Sequence, residues 1–289
     1  MVNGCGGGFI NLRCRTSVRS KLDYNRGMFH APDLVHRLAG LRLAHPIYLY
    51  QQIGSTNDQA RQLAEAGAPE GLLMVAEEQT AGRGRSGRVW LTPPGTALAF
   101  SLVLRPALPA ALSARLTMLA GLATCEALEQ TADVKAALKW PNDVLINGRK
   151  TAGILIETAL SGEQLNYAVL GIGLNVSWSP APHEVEFPAT CVQAEAGREV
   201  DRLTLLRALL ARLEAWYPAL ADEALFTAWR ARLTMLNQPV ELRSEAGVVA
   251  GRAVDVAPDG ALIVQTDSGE TRRVLAGEVH LRARSASAN

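Results

Sequence analysis

Apolar residues recur along the chain in runs and periods that predict a mixture of strands and helices. Some runs are continuously apolar, as is typical of strands buried on both faces. The buried strands are predicted at residues 72–76, 97–104 and 165–176. Longer stretches with apolar residues three and four positions apart predict amphipathic or buried helices. These helices are predicted at residues 112–128, 203–217 and 224–236.

Two short motifs predict local structure in more detail. Asn147-Gly148 separates apolar runs at 144–146 and 151–156, and this dipeptide supplies the positive φ angles of a type I′ turn. A β-hairpin is therefore predicted there. Upstream, Thr56 and Gln59 form a capping-box pattern that predicts the start of a helix.

The two ends of the chain differ from its middle. After Asn237 the apolar runs become short, and Asp259-Gly260 and Ser268-Gly269 interrupt them, which predicts a small β-barrel of about fifty residues. Residues 1–30 carry a glycine cluster and five basic residues against one acid, without the apolar core of a signal peptide. We predict a disordered basic tail at 1–30, or upstream sequence with Met28 as the true start. The predicted domains are then 31–236 and 237–289.

Composition limits the function classes without naming one. The 289 residues hold 29 Lys and Arg against 28 Asp and Glu, and this net charge of +1 disfavours a general nucleic-acid-binding surface or an acidic disordered chain. No uninterrupted apolar run reaches the roughly 18–20 residues of a membrane span. The four cysteines show no CxxC pair, so reduced thiols in a cytosolic protein are the simplest interpretation. Only four basic residues are lysines, which makes their positions informative: 21, 135, 139 and 150.

The stretch Gly82–Trp90 (GRGRSGRVW) concentrates three glycines and three arginines shortly after a predicted strand. Glycine lets backbone N–H groups approach an anion closely, and guanidinium groups match carboxylate and phosphate oxygens. By itself the stretch fits a loop that closes over an anionic ligand, but it also fits a solvated Arg/Gly turn or a general RNA-binding arginine patch.

Two further stretches contain candidate chemistry. Lys139–Asp143 (KWPND) leads into the predicted hairpin and Lys150 follows its turn, so Lys150 and Asp143 are predicted to meet. Lysine suits a carboxylate or phosphate oxygen and aspartate suits Mg²⁺ or an amine, whereas the plain alternative is a surface ion pair of little energetic value. In Gly171–Asn175 (GIGLN), alternate glycines leave room for a ligand on one strand face, or mark a bulge.

Together these motifs resemble the biotin–protein ligases. The family's order and spacing recur, over residues 45–282, in Ser55–Asn57, Gln79, Gly82–Trp90, Lys139–Asp143, Gly148–Glu157 and Gly171–Asn175. The resemblance implies an α+β fold, with a catalytic domain like that of class II aminoacyl-tRNA synthetases and a C-terminal SH3-like β-barrel. It also implies an ATP-dependent, AMP-forming reaction. Biotin becomes biotinyl-5′-AMP and is then transferred to a lysine of a biotin carboxyl carrier protein of acetyl-CoA carboxylase.

The resemblance also implies which residues bind the biotin half of the substrate. The ureido and thiophene end of biotin is expected to contact Ser55, Thr56, Asn57 and Gln79. The loop that folds over biotin and the adenylate phosphate is expected to use Arg83, Gly84 and Arg85. The backbone and apolar floor are expected from Gly153, Leu155, Gly171 and Gly173, with Asn175 completing the binding set.

The expected catalytic residues are Lys150, Arg85, Asp143 and Lys139. The resemblance implies that Lys150 holds the carboxylate oxygen and the α-phosphate, and that Lys139 meets the triphosphate. Asn142 and Asp143 are expected to assist with Mg²⁺, the adenylate or the incoming lysine. ATP and Mg²⁺ are the expected cofactors, and biotin is the expected substrate.

The chain departs from some family members in two ways. Bifunctional members carry an N-terminal winged helix-turn-helix, whereas only 54 residues precede Ser55 here, so we expect a monofunctional, cytoplasmic ligase without DNA or membrane binding. Some members stack a tryptophan on adenine from the loop that follows the GIGLN strand. The corresponding residues 186–191 (EFPATC) contain no tryptophan, so the adenine-stacking residue is not identified. Trp178 and Phe187 are the aromatic residues in this region.

Three alternatives were weighed against this interpretation. A lipoate or octanoate ligase or transferase shares the fold but lacks the GRGR loop, and a biotin-sensing regulator needs DNA binding. A biotin carrier presents its lysine between two methionines, a pattern that none of the four lysines shows. Monomer and homodimer both remain open.

Overall fold

The computed structural model describes residues 28–244, 247–275 and 277–281 of the chain. A seven-stranded sheet in the order β1-β2-β3-β7-β6-β5-β4 forms the larger part of the fold. Its strands are β1 (Ile47–Ile53), β2 (Leu73–Gln79), β3 (Ala97–Leu104), β4 (Ala136–Lys139), β5 (Asp143–Ile146), β6 (Arg149–Ser161) and β7 (Gln164–Asn175). Strands β1 and β2 run parallel and the other neighbours run antiparallel. The parallel pair needs a crossover, which a helix between the two strands supplies.

The helices are α1 (Ala31–Leu38), α2 (Thr56–Glu65), α3 (Ala114–Ala132), α4 (Val192–Ala196), α5 (Arg202–Trp216) and α6 (Glu223–Arg230). They cover both faces of the sheet, which explains why all eight residues of β3 are buried. Alternate residues of a strand point to opposite faces. Accordingly, Val103 packs with α2 residues in one cluster, whereas Leu102 and Leu104 belong to the larger core on the other face.

Helix α3 is mostly apolar and mostly buried. By length and composition the segment 110–132 is able to span a membrane, yet 67% of its 18-residue apolar stretch is buried inside the protein. It contacts α5, α6 and the sheet. A largely apolar helix is expected in such a core position.

A second, antiparallel sheet follows at the C-terminus, in the order β11-β10-β9-β8-β12. Its strands are β8 (Pro239–Ser244), β9 (Gly247–Val256), β10 (Leu262–Thr266), β11 (Thr271–Val274) and β12 (Glu278–Leu281). The indole N–H of Trp140 donates to the carbonyl of Gly260 at 2.8 Å, so this sheet is bonded to the segment between β4 and β5. The predicted strands and turns of this region are confirmed. Closure into an SH3-like barrel stays a prediction.

Several local predictions are confirmed. Strand β3 has the predicted bounds, and the hairpin turn has positive φ angles of 49° at Asn147 and 73° at Gly148. The capping-box prediction was wrong in its cap residue. Ser55 caps α2 by accepting from the Asp58 N–H at 3.4 Å, because the Thr56 hydroxyl is bonded to Gln79 instead.

Two predicted boundaries were also wrong. The helix predicted to reach residue 236 ends at Arg230, because the next residues turn and form an isolated bridge with Leu138 of β4, with two backbone hydrogen bonds. Phe29, placed in the predicted tail, is 5% exposed and packs against the guanidinium of Arg202. The rest of that tail, residues 1–27, lies outside the described residues and includes Cys5, Cys14 and Lys21.

Candidate active site

A cleft of about 1500 Å³ lies between the main sheet, the Gly82–Trp90 loop and the C-terminal sheet. Every predicted site residue lines it: Ser55, Thr56, Asn57, Gln79, Arg83, Gly84, Arg85, Lys139, Asn142, Asp143, Lys150, Gly153, Leu155, Gly171, Gly173 and Asn175. The structure therefore brings together stretches that lie far apart in sequence. Their chemical roles stay predictions.

One end of the cleft is a buried hydrogen-bond network at the start of α2. Thr56 donates to Gln79 Oε1 from both its backbone N–H, at 2.9 Å, and its hydroxyl, at 3.0 Å. The hydroxyl of Ser101 lies 2.6 Å from Asn57 Oδ1 and 2.8 Å from Thr56 Oγ1. Sequence reasoning missed Ser101, although it is the one polar residue in the apolar run of β3.

Glu157 joins this network to the arginine-rich loop. Asn57 Nδ2 donates to Glu157 Oε2 at 2.8 Å. The Arg83 guanidinium donates to Glu157 at 2.8 and 2.9 Å and to Asp58 at 2.7 Å. The hydrogen bond to Glu157 raises the pKa of Arg83. Glu157 lay inside a recognised motif but had no assigned role, because its partners are 74 and 100 residues away.

The glycines of β6 and β7 form the floor of the cleft. Gly153 and Gly173 are paired across the two strands, and the Trp90 indole lies on both. A Cβ atom at Gly173 would lie 2.3 Å from the indole, and one at Gly171 would lie 2.1 Å from Asn57 Oδ1. Sequence analysis assigned Trp90 no role of its own. Its Nε1 is buried without a hydrogen-bond partner among the described residues, so it offers a donor to a ligand.

The opposite end of the cleft is cationic. Asp143 Oδ1 lies 2.6 Å from Lys150 Nζ, and Asp143 Oδ2 lies 3.7 Å from Lys139 Nζ. The predicted meeting of Lys150 and Asp143 is thus confirmed. Lys150 Nζ also lies 5.6 Å from the centre of a Trp90 ring, and Lys139 Nζ lies 4.5 Å from that of Phe187. Two ammonium groups therefore surround one buried carboxylate at this end.

Two predicted binding residues use their amide groups within the protein. Asn142 Nδ2 donates to the Ile154 carbonyl at 2.7 Å, and Asn175 Nδ2 donates to the Thr190 carbonyl at 3.1 Å. Each bond links a strand of the cleft floor to a neighbouring segment. These asparagines therefore shape the cleft whatever else they contact.

The described residues contain no cluster of three His, Cys, Asp or Glu side chains able to hold a metal ion. Asp143 was the suggested Mg²⁺ ligand, yet both of its oxygens face lysine ammonium groups. Mg²⁺ prefers several oxygen ligands in octahedral geometry. This donor set does not fit a Mg²⁺ ion held by the protein alone.

Comparison with known proteins gives two family matches. Residues 49–175 match the Biotin/lipoate A/B protein ligase family, and residues 235–282 match the Biotin protein ligase C terminal domain. The biotin–[acetyl-CoA-carboxylase] ligase of Paracoccus denitrificans is 39% identical, over 74% of this chain and 92% of that protein. The bifunctional ligase/repressor BirA of Bacillus subtilis is 34% identical, over 82% of this chain and 74% of that protein.

Solved structures of similar fold agree with these matches. The biotin protein ligase from Aquifex aeolicus, in complex with biotin and ATP, has a TM-score of 0.68 and 31% identity, and the alignment covers 82% of this chain and 99% of that one. The Leishmania major biotin protein ligase in complex with biotinyl-5-AMP has a TM-score of 0.56 and 26% identity, over 80% of this chain and 98% of that one.

Proposed function

The chain belongs to the biotin/lipoate A/B protein ligase family, and we propose that it is an ATP-dependent biotin–protein ligase. The observation that carries the proposal is one cleft lined by all the family motifs, with the hydrogen-bonding network of Thr56, Asn57 and Gln79 at one end and two lysines around Asp143 at the other. The biotin carboxylate attacks the α-phosphate of ATP, which releases pyrophosphate and forms biotinyl-5′-AMP. A lysine ε-amine then attacks the carbonyl of the mixed anhydride and AMP leaves.

The cationic end suits the first step because both reactants are anions. Joining a carboxylate to a triphosphate requires positive charge where negative charge accumulates. We assign Lys150 to the carboxylate and α-phosphate oxygens, Lys139 to the triphosphate and Arg85 to the loop that closes over them. Asp143 holds the two lysines in place. Little covalent chemistry falls to the protein, so positioning supplies most of the effect.

The hydrogen-bonding end suits the fused rings of biotin. A ureido group offers two N–H donors and one carbonyl acceptor, and the network of Ser55, Thr56, Asn57 and Gln79 offers hydroxyl and amide partners for both kinds of group. The glycine floor and the Trp90 indole leave an apolar slot for the rest of the molecule. This division of the cleft is typical of small-molecule sites, in which a few polar groups orient a mostly apolar ligand.

We propose that Mg²⁺ enters as the complex with ATP, as part of the substrate. Its ligands are then mainly phosphate oxygens and water, which is how Mg²⁺ is usually bound in nucleotide sites. No step of the reaction is assigned to a protein-held metal.

The finer expectations belong to this proposal as well. The acceptor is a biotin carboxyl carrier domain of acetyl-CoA carboxylase, as the name of the Paracoccus relative implies. The main domain resembles class II aminoacyl-tRNA synthetases, and the C-terminal sheet is an SH3-like barrel. The protein acts in the cytoplasm, as monomer or homodimer.

A lipoate or octanoate ligase is the alternative within the same fold, and the buried polar network argues against it. An acyl chain without a ureido group would displace water from Thr56, Asn57 and Gln79 without supplying a hydrogen-bonding group in its place, which costs binding energy. The test is AMP release by the purified protein with ATP, Mg²⁺ and biotin, lipoate or octanoate in turn. Release that depends on biotin supports the proposal.

A further inference from the structure

A buried carboxylate outside the cleft joins the segments that surround Lys150. Glu195 lies in α4, and its side chain is only 3% exposed. Its Oε1 forms an ion pair with Arg149 NH2, at 2.6 Å, and accepts a hydrogen bond from the Thr190 hydroxyl. Its Oε2 accepts from Asn147 Nδ2 at 2.7 Å. A buried carboxylate is tolerated when charged and polar donors satisfy it in this way, and removing a partner is costly.

These three donors belong to two different segments. Asn147 and Arg149 lie at the turn of the β5–β6 hairpin, and Thr190 ends the stretch 186–190 that follows β7. That stretch is bonded directly to the backbone of Lys150. The Lys150 N–H donates to the Pro188 carbonyl at 2.8 Å, and the Thr190 N–H donates to the Lys150 carbonyl at 2.8 Å. Glu195 therefore closes a ring of contacts around the base of the lysine side chain.

The opposite side of Lys150 is less regular. The register between β5 and β6 shifts where Val144 pairs with Ala152 and Leu145 pairs with Lys150, so one residue between them bulges. A bulge locally disrupts the ladder of hydrogen bonds. The bridge to residues 188–190 is then a main restraint on the direction of the Lys150 side chain.

The same stretch also reaches the second lysine of the cleft. Phe187 lies over Lys139 Nζ, with 4.5 Å between the ammonium and the ring centre. The Thr190 carbonyl accepts from Asn175 Nδ2 on β7. Movement of residues 186–190 would consequently alter the surroundings of both lysines, while the Asn57–Gln79 end has no contact with this stretch among its hydrogen bonds.

We propose that Glu195 is a positioning residue for the adenylation step. Through Arg149, Asn147 and Thr190 it holds the hairpin turn and residues 186–190, and so fixes Lys150 and Phe187 at the phosphate end of the cleft without touching a substrate. The inference rests on the proposed function, because it assumes that the phosphate end binds ATP.

The test compares the biotin-dependent ATP–pyrophosphate exchange of the Glu195→Gln variant with that of the wild-type protein. Glutamine keeps the size and one acceptor but loses the charge that pairs with Arg149. We expect the KM for ATP to rise and kcat to fall, together by roughly ten- to a hundredfold, as small displacements of catalytic groups do. The KM for biotin should remain at the wild-type value. Thr190→Val removes one donor only and should show the same split to a smaller extent.

Glu70→Gln is the matched control. Glu70 is also a partly buried carboxylate with several donors, namely Arg42 NH1, the Arg105 N–H and the Tyr217 hydroxyl, but it lies away from the cleft. This variant should unfold at lower temperature and keep both KM values. If the folded Glu195→Gln and Thr190→Val variants both show wild-type kinetics, the inference is overturned and the proposed function is not affected. Absence of exchange in the wild-type protein would overturn the proposed function and the inference with it.

Discussion

The carboxylate of Asp143 lies 2.6 Å from Lys150 Nζ and bridges it to Lys139, the other lysine of the cleft. The pairing follows from the antiparallel hairpin, because Lys150 of β6 pairs with Leu145 of β5, two residues from Asp143, so the two side chains lie diagonally across the strands. Asp143 restricts the position of the Lys150 ammonium group, which the proposed function assigns to the carboxylate and α-phosphate oxygens. Pre-arranged charge of this kind is usually the largest single contribution to catalysis.

Lys150→Ala should slow adenylate formation by about 10²–10³-fold, as does removal of one group that stabilises developing charge. The fold should persist, because the lysine side chain is partly exposed at the edge of the cleft. The measurement is biotin-dependent pyrophosphate exchange. Lys135→Ala, an exposed lysine outside the cleft, is the control and should exchange at the wild-type rate. Wild-type exchange in Lys150→Ala would remove this residue from the site.

Arg85→Ala should also slow adenylate formation strongly while leaving the fold intact. Arg85 lies in the glycine-rich loop and lines the cleft, and the proposed function assigns its guanidinium to the ligand anion. Release of the loop from the anhydride should in addition let water hydrolyse biotinyl-5′-AMP faster. Single-turnover assays of adenylate formation and loss measure both effects. Arg61→Ala, which breaks an exposed pair with Glu65 on α2, should change neither.

Gly171→Ala should raise the KM for biotin by at least about tenfold. The KM for ATP should change little, because the displaced Asn57 amide belongs to the hydrogen-bonding end of the cleft and not to the end with the two lysines. The new Cβ would lie 2.1 Å from Asn57 Oδ1 and would push this amide away from Ser101 and Glu157. Gly54→Ala is a stringent control, because Gly54 directly precedes Ser55 yet a Cβ there meets no atom within 4 Å. Equal biotin KM values in the two variants would contradict the assigned floor.

Stability in acid should depend on the contact between α6 and β9. The hydrogen bond from Arg230 lowers the pKa of Asp255 below its ordinary value of 3.8. A carboxylate whose pKa is lowered by folding stabilises the native state above its unfolded pKa. This contribution disappears as the pH falls through the lower, folded value. Asp255→Asn should therefore be less stable than the wild type at pH 7, and the difference should shrink below about pH 4.

Urea unfolding at several pH values measures this difference. Both side chains are nearly half exposed, so the effect at pH 7 should be small and should weaken further in high salt. The Glu241–Arg243 ion pair provides a comparison, because both of its residues lie in β8 and it does not link a helix to the C-terminal sheet. A difference that grows on acidification would contradict the assigned direction of the pKa shift.

Much of the fold follows from local patterns. The apolar run of β3, the Asn-Gly turn and the short strands after Asn237 lie where periodicity and turn chemistry place them. The errors arise where tertiary contacts override local preference. Residues after Arg230 have helical composition, yet they turn and form a bridge with Leu138 instead. Strand β4 has only four residues, too few to show a period.

The sequence motifs predicted which residues line the site, but not the residues that hold them in place. Resemblance to a family identified the residues that line the cleft, since those stretches are compositionally unusual. Ser101, Glu157 and Glu195 were missed because their partners are remote in sequence and each looks ordinary in its own segment. Glu195, for example, lies 48 residues from Asn147. Such contacts become visible only when the strands and loops are brought together.

The most direct test of the central claim is AMP release by the purified protein with ATP, Mg²⁺ and one acid at a time, followed by addition of an apo biotin carboxyl carrier domain. The account predicts release with biotin but not with lipoate or octanoate, and covalent biotin on a lysine of the carrier domain. No biotin-dependent AMP, or equal rates with octanoate, would contradict it.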